Sequence, residues 1–517
     1  MERSAIYICG LVVASANRWE CVELSGHQEH DNPSSPREGG FFYAQYELDA
    51  DSRPDMQTFF DIAADLDTPV SAYLKLAPFK PRFLLESVEG GTRVGRYSFI
   101  GFGESLEARL TASGMRVNGE ERPRPANQQE FLDALRKLLA DTPVLRPDDA
   151  DVPFRGGLVG VMGYDIVRLF ESLPVLTDKH TDLPEAAFVA PQSMLVFDHL
   201  TRRAGLLHAG SETTRQALRN NVVAAMRGPV PETGRGAGEF SAPSASMEQS
   251  EFEDKVRWAQ EQIAAGEVFQ LVLSVCFSGA TDIDPFLVYR ALRLLNPSPY
   301  MYFFDLGDAQ VVGSSPEALV RLQEGVASLR PIAGTRPRGT DSHSDENHAN
   351  ELLADPKENA EHVMLVDLAR NDLGRVAVPG SINVNPYRVI ERYSHVMHLV
   401  SGVQGKVEKQ FDAFDLFASA FPAGTLVGAP KVRAMELIEQ AEPARRDFYA
   451  GTVGYFDHDG NMDQAIAIRT IVFHQNQYRF QAGAGIVADS VPRTEYQEVV
   501  HKSNILRQAL AMARDGL

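Results

Sequence analysis

The chain has 517 residues, 44% of them hydrophobic and 23% charged. That is too long for one ordinary core and reads as globular, with either two large regions or one large layered body. A net charge of −20 lacks the basic footprint that broad nucleic-acid binding requires, and no apolar run reaches the length of a membrane span, so neither partner is expected. An anionic small substrate is compatible with this balance only where local positive charge or a metal collects it. The three cysteines, Cys9, Cys21 and Cys276, form no CxxC and no disulfide framework, which points to a reducing, cytoplasmic setting.

In chain order, Ala5–Ala16 is a short apolar run ending in Ala-Ser-Ala, but Glu2 cancels Arg3 and leaves a poor signal peptide. An upstream extension or a docking strand is expected instead, and residues 1–50 read as a poorly ordered N-terminal extension. Order is expected from Met56, with residues 58–76 as a helix followed by a turn. Residues 83–102 read as strand, Gly-Gly turn and strand, and 107–121 as a hairpin. Residues 131–141 predict an amphipathic helix, 156–171 a glycine-spaced strand running into a helix, and 194–210 a hairpin. A helix at 211–227 precedes the Pro/Gly/Ser-rich linker 227–246, which divides an N-terminal region (51–230) from a C-terminal one (245–517).

Beyond the linker come a helix over 247–265, a strand over 268–277, a helix over 285–296 and a strand pair over 300–322. Residues 424–440 read as loop and helix, 451–456 and 464–473 as strands, and 478–489 as a last strand before the final helix. Strands fall in antiparallel pairs rather than in βαβ alternation. The expected fold is therefore α+β, a large two-layer sandwich with antiparallel sheets around a central cleft.

The stretch 351–374 carries the densest signals. Asp355 suits an N-cap, Pro356 the first helical position, and Glu358 falls at N3 to close a capping box. Ala360, Val363, Met364 and Leu368 recur at helical spacing as an expected core stripe, and Gly374 can end the helix left-handed. Glu358 and Glu361 share a face, as do Glu495, Glu498 and Lys502 near the C-terminus. Two such faces could converge on one hard cation, which takes oxygen ligands, although Glu358 could equally be a cap partner alone.

Other constellations stay open on spacing. Gly483-Ala484-Gly485 begins a G-x-G-x-x-A pattern, but Pro492 follows too soon for a dinucleotide-binding unit. Those glycines either admit an anion to the backbone amides or mark a bulge. Residues 331–339 (PIAGTRPRG) place Arg336 and Arg338 beside a Gly-Thr, either as an anion cradle or as a solvated turn. Arg469 interrupts an apolar strand and needs an anionic partner, from the protein or from a ligand. His395 and His398 have metal-ligand spacing but no third soft ligand nearby, so a satisfied core histidine is the default for each.

Taken together, residues 331–339, the 351–374 helix, SHVMHLVSGV (394–403), GTLVGAPKVRAMELI (424–438) and AGAGIVADSVPRTEYQE (482–498) resemble the chorismate-binding enzymes. The resemblance implies a large α/β sandwich with a Mg²⁺-dependent site acting on chorismate. Glu361 and Glu498 would hold Mg²⁺, with Glu358 and Glu495 close by. Gly334, Thr335, Tyr449, Arg469, Gly483, Ala484, Gly485 and Lys502 would contact chorismate. His398, with Thr425 nearby, would be the acid/base, and Glu317 would protonate the leaving hydroxyl.

Leu84-Leu85-Glu86-Ser87 and Asn296–Met301 resemble the tryptophan feedback site of the anthranilate-forming branch of that family. The resemblance puts Glu86, Ser87, Pro299, Tyr300 and Met301 against L-tryptophan. Branches using water carry a lysine base where Gln270 stands, and the aminodeoxychorismate-forming branch often carries a lysine where Ala333 stands, as a nucleophile for ring C2. Both lysines are absent, which favours direct amination at C2 with ammonia, then loss of pyruvate, over the alternative, aminodeoxychorismate formation. No cysteine sits in a glutaminase motif, so ammonia from a separate glutamine amidotransferase subunit is implied. A heterotetramer of two large and two small subunits is the family expectation.

Overall fold

The computed structural model describes residues 59–87, 95–177, 181–231, 238–393 and 396–517. The 1–50 extension, the Gly90-Gly91 turn and His395 lie outside them. Before the linker, the strands Pro81–Glu86 (β1), Tyr97–Thr111 (β2), Gly157–Met162 (β3) and Ala186–Asp198 (β4) pair as β1–β2, β2–β4 and β3–β4. After it come Gln270–Ala280 (β5), the helix Pro285–Leu295 (α1), Tyr300–Asp305 (β6), Ala309–Ser315 (β7) and Ala318–Gln323 (β8). Ile332–Pro337 (β9) leads into the helices Ser342–Ala354 (α2) and Pro356–Gly374 (α3), followed by Val389–Arg392 (β10) and Val396–Val400 (β11). The helix Lys431–Ala441 (α4), the strands Thr452–Asp457 (β12), Met462–Ile466 (β13), Thr470–His474 (β14) and Gln477–Ile486 (β15), and the helix Pro492–Asp515 (α5) complete the path.

The architecture is α+β and layered, and the strand pairings are antiparallel, as the hairpin spacing predicts. The two sides of the linker are not separate sheets. β1 pairs with β6 and β3 with β12, so one large sheet crosses the sequence boundary, while β9, β11 and β10 form a second sheet of three strands. Alternation along the strands feeds two cores. Leu84 and Phe303 join the larger hydrophobic cluster, while their neighbours Phe83 and Phe304 join another on the opposite face. Among the described residues no helix is long and apolar enough to cross a membrane.

Several expectations are corrected. The first helix is only Pro69–Lys75, started by a Thr68/Ser71 capping box. Ile62–Ala63, placed in that helix by pattern, pairs instead with Arg203–Ala204 as a strand. The helix after β3 is a 3₁₀ segment, Tyr164–Leu169. The predicted strand over 464–473 is two strands, broken where Arg469 takes a left-handed φ of 49°.

The α3 helix is corrected in three ways. Asp355 does cap it, accepting from the Lys357 and Glu358 amides, but Glu358 does not close a capping box; its carboxylate meets Arg336 at 3.0 Å. Gly374 is the last helical residue, and the cap, Arg375, is right-handed. The buried face is His362, Leu365, Val366, Ala369, Asp372 and Leu373, whereas Val363 is 47% exposed and Ala360 lies on the surface. The polar His362 and Asp372 disguise the true core stripe. They can be buried because Ser401 Oγ lies 2.7 Å from His362 Nε2, and Lys431 Nζ donates to both Asp372 oxygens at 3.0 and 3.1 Å.

Candidate active site

The site lies where β9, β11, α3, β15 and α5 meet the turn between β7 and β8. Gly334 interrupts the pairing of β9 with β11 at φ +64°, a conformation L-residues avoid. A Cβ there would also come within 3.0 Å of Glu358 Oε2, so glycine lets this strand close onto the start of α3. His398 on β11 then sits with Nδ1 3.1 Å from both the Gly334 carbonyl and Thr335 Oγ1. Burial holds the imidazole below its usual range. With Nδ1 donating to that carbonyl, Nε2 keeps its lone pair.

The two arginines of residues 331–339 are not an anion cradle. Arg336 binds Asp355 at 2.7 Å and Glu358 at 3.0 Å, and Arg338 binds Asp345 at 2.7 Å. They brace β9 against α2 and α3.

Glu317, in the turn after β7, is enclosed by apolar neighbours including Leu365, Leu368, Ala423 and Ile466, around a hollow of about 50 Å³. Burial pushes its carboxyl up to about 7, against a smaller lowering by the Thr425 hydroxyl, which donates to it at 3.1 Å, and by the charges of Lys502 and Arg469. Arg469 also acts on His398. No ion pair to Arg469 exists among the described residues, and burial lowers the pKa of its guanidinium. A cation held this way has charge left to offer an anion.

Gly483 and Gly485 are neither a bulge nor a turn. They lie inside β15 in regular pairing with Ser274 and Val272 of β5. A Cβ at Gly483 would come within 2.8 Å of Tyr449 Oη, and one at Gly485 within 2.7 Å of the Gln270 side-chain amide. Glycine at both positions brings these two side chains against the strand. Ala484 between them is buried, with its side chain in the core. Lys502 on α5 donates to the Gly483 carbonyl at 3.0 Å and binds Glu498 at 2.7 Å.

The carboxylates of the two helices do approach one another. Burial raises Glu361, and the negative charges of Glu358 and Glu498 raise it further; burial also raises Glu495, with Glu498 adding to it. Gln270 donates to Glu361 at 3.3 Å. Among the described residues no three His, Cys, Asp or Glu side chains form a complete metal cage. The donor set of Glu358, Glu361, Glu495 and Glu498 is all oxygen, the kind a hard cation such as Mg²⁺ takes.

Glu86, Ser87, Pro299, Tyr300 and Met301 lie elsewhere, together, lining a hollow of about 800 Å³ between β1, β6, β12 and β13. Its aromatic walls include Tyr97, Phe99 and Tyr455. The Glu86 carboxylate is committed inside the fold: Arg293 of α1 donates to it at 3.0 and 3.2 Å, and Tyr289 donates as well.

Sequence reading missed the support for these groups. Arg446 and Glu442 form a buried pair at 2.6 Å. Arg446 lies over the rings of Tyr449 and Tyr164 and donates to the carbonyl of Leu426, next to Thr425. The i,i+4 spacing of Glu442 and Arg446 was the available signal, but that spacing is ordinary on solvated helices.

The sequence profile of chorismate binding enzymes matches residues 80–508. The anthranilate synthase component 1 of Thermus thermophilus is 46% identical over 470 residues, covering 90% of this chain and 99% of its own. The crystal structure of anthranilate synthase component I from Streptococcus pneumoniae superposes with a TM-score of 0.72 at 35% identity, over 81% of this chain and 94% of that one. The menaquinone-specific isochorismate synthase of Escherichia coli, at 20% identity and a TM-score of 0.63 over 85% of this chain and 91% of its own, shares the fold. With its cleft residues gathered as described, the chain belongs to the chorismate-binding enzymes, in the anthranilate synthase component 1 group.

Proposed function

We propose that this chain is the large component of an anthranilate synthase that aminates chorismate at C2 with ammonia and then eliminates pyruvate. The observation that carries the reading is the Arg469 guanidinium, in no ion pair among the described residues and close enough to the uncharged-leaning Glu317 and to His398 for its charge to act on both. A dianionic substrate needs a fixed cation, and departure of a hydroxyl needs a proton donor; this pair offers both.

Arg469 would hold one carboxylate of chorismate, with Tyr449 and the Gly483–Gly485 stretch against the same end of the molecule. Glu317 would give its proton to the departing C4 hydroxyl, with Thr425 keeping the carboxyl oriented. His398, neutral at pH 7, would take the C2 proton through Nε2 as pyruvate leaves, the Gly334 carbonyl holding its tautomer. Glu361 and Glu498 would hold Mg²⁺, with Glu358 and Glu495 nearby. Bound there, Mg²⁺ supplies the positive charge that offsets the ring carboxylate in this acidic protein. Gln270, beside Glu361, cannot deprotonate water, whereas ammonia arrives with its own lone pair.

The ammonia would come from a separate glutamine amidotransferase subunit, within an assembly of two large and two small subunits. The 800 Å³ hollow would take L-tryptophan as feedback inhibitor. Incubation with chorismate, Mg²⁺ and an ammonium salt tests the central claim: anthranilate fluorescence should appear. Formation of a 4-aminated product, or none, would remove it.

A further inference from the structure

Behind the cleft, one buried ion pair touches several of the elements that carry cleft residues. Glu442 ends α4, and Arg446 follows four positions later; both side chains are buried. The contact is a fork: Arg446 Nε donates to Glu442 Oε2 at 2.9 Å, and Nη2 to Oε1 at 2.6 Å.

The pair fills a gap in the large sheet. On the edge of β5 away from β15, Gln270 and Leu271 pair with Ala429 and Gly428, and Phe277 and Ser278 with Ala245 and Ser244. Between those two short partners, the Val272 carbonyl accepts from Arg446 Nη2 at 3.0 Å. The Ser274 amide and hydroxyl donate to Glu442 Oε1 at 2.9 and 2.7 Å. Two charged side chains stand in for a strand and satisfy buried backbone groups that would otherwise lack partners.

One nitrogen of the fork is left over, and it reaches forward. Arg446 Nη1 donates at 2.7 Å to the carbonyl of Leu426, in the single helical turn Gly424–Val427 that also carries Thr425. On its other side α3 holds that turn closely: a Cβ on Gly424 would come within 1.8 Å of the Leu368 side chain. Thr425 is thus fixed from both sides, and its hydroxyl donates to Glu317 at 3.1 Å.

We infer that Arg446, clamped by Glu442, is a positioning residue for the acid: it holds the Leu426 carbonyl so that the Thr425 hydroxyl meets Glu317. The inference rests on the reading of Glu317 as the proton donor. A buried ion pair seldom stabilises a fold more than apolar side chains of the same volume, whereas a guanidinium fork fixes several groups in direction at once. Lysine keeps the charge but offers a single nitrogen, which cannot serve Glu442 and the Leu426 carbonyl along the same lines.

The test is a double-mutant cycle on the full chain, read as kcat for anthranilate formation from chorismate, Mg²⁺ and an ammonium salt. Arg446→Lys should lower kcat by about tenfold or more. In a Thr425→Val background the same substitution should cost no more than about twofold, because the group it acts through is already gone. The full loss in both backgrounds marks a general loosening and overturns the inference, as does an unchanged kcat in Arg446→Lys. Should melting curves show Arg446→Lys unfolded, Ser274→Ala decides by the same cycle, since it removes the hydroxyl from Glu442 and leaves the ion pair in place. It should cost about threefold alone and nothing further with Thr425→Val. Equal losses in the two backgrounds again overturn the role of Arg446. A wild type that forms no anthranilate overturns instead the reading of the cleft on which the inference rests.

Discussion

The cleft and the hollow are served by the same pair of strands, β8 and β13, yet they handle charge in opposite ways. At the cleft end, Glu317 precedes β8 and Arg469 follows β13, both half-buried and neither in an ion pair among the described residues. At the hollow end the charged groups are matched across the pairing and around it: Arg321 with Asp463 at 3.7 Å, Glu86 with Arg293, Arg96 with Asp198, Arg155 with Asp459. Unmatched buried charge is unfavourable until a ligand arrives, so it belongs where chemistry is done. A recognition site works with fitted walls. Ile466 donates to the Glu317 carbonyl at 2.9 Å, so a shift of β13 at the hollow would be felt directly at the acid.

The contrast can be tested most severely at Glu317. Glu317→Gln should lower kcat by roughly 10²–10⁴ with little change in KM for chorismate, since it removes the proton donor alone. The same substitution has a stability signature. The Glu317 carboxyl is raised from 4.5 to about 7 in the fold, so its favourable contribution is complete below pH 4.5 and lost as pH rises through 7. The variant should therefore gain on wild type as pH rises across that range, by ~3 kcal/mol at most, in melting curves run against pH. Parallel curves for the two proteins would mean that Glu317 is not a buried acid.

The metal assignment comes next. Glu361→Gln or Glu498→Gln should cost at least about a hundredfold in Mg²⁺-dependent turnover without lowering the melting temperature. Retained turnover at ordinary Mg²⁺ would break the assignment. At the hollow, Ser87→Phe should raise the tryptophan concentration for half-inhibition by about tenfold or more, within the usual range of allosteric couplings. Equal inhibition of variant and wild type would take Ser87 out of the regulatory wall. The smallest effect belongs to the brace: Arg336→Gln frees Glu358 and should weaken Mg²⁺ activation by about tenfold, read from the Mg²⁺ dependence of turnover.

Much of this was legible in the chain because local signals and the fold agree. Asp355 caps α3 with the side-chain type expected of a cap. The hairpins fall where alternation and glycine placed them. Reading failed where a partner distant in sequence changes what a residue is worth. Arg336 and Arg338 looked like ligand contacts and are braces, because Asp355, Glu358 and Asp345 reach them first. The α3 stripe was read on the wrong face because two of its buried residues are polar.

The sequence by itself determined the antiparallel α+β class, the Asp355 cap, and the family motifs that nominate Glu317, Glu361, His398, Arg469 and Glu498. These depend on neighbours a few positions away, or on motif strings that can be read directly. Only the tertiary structure decided which charges remain open: among the described residues Arg469 is in no ion pair, while Glu86, Arg336, Arg446 and Asp463 are occupied. Whether a charge is paired depends on which remote strand or helix lies within about 3 Å of it, and local spacing carries no record of that distance.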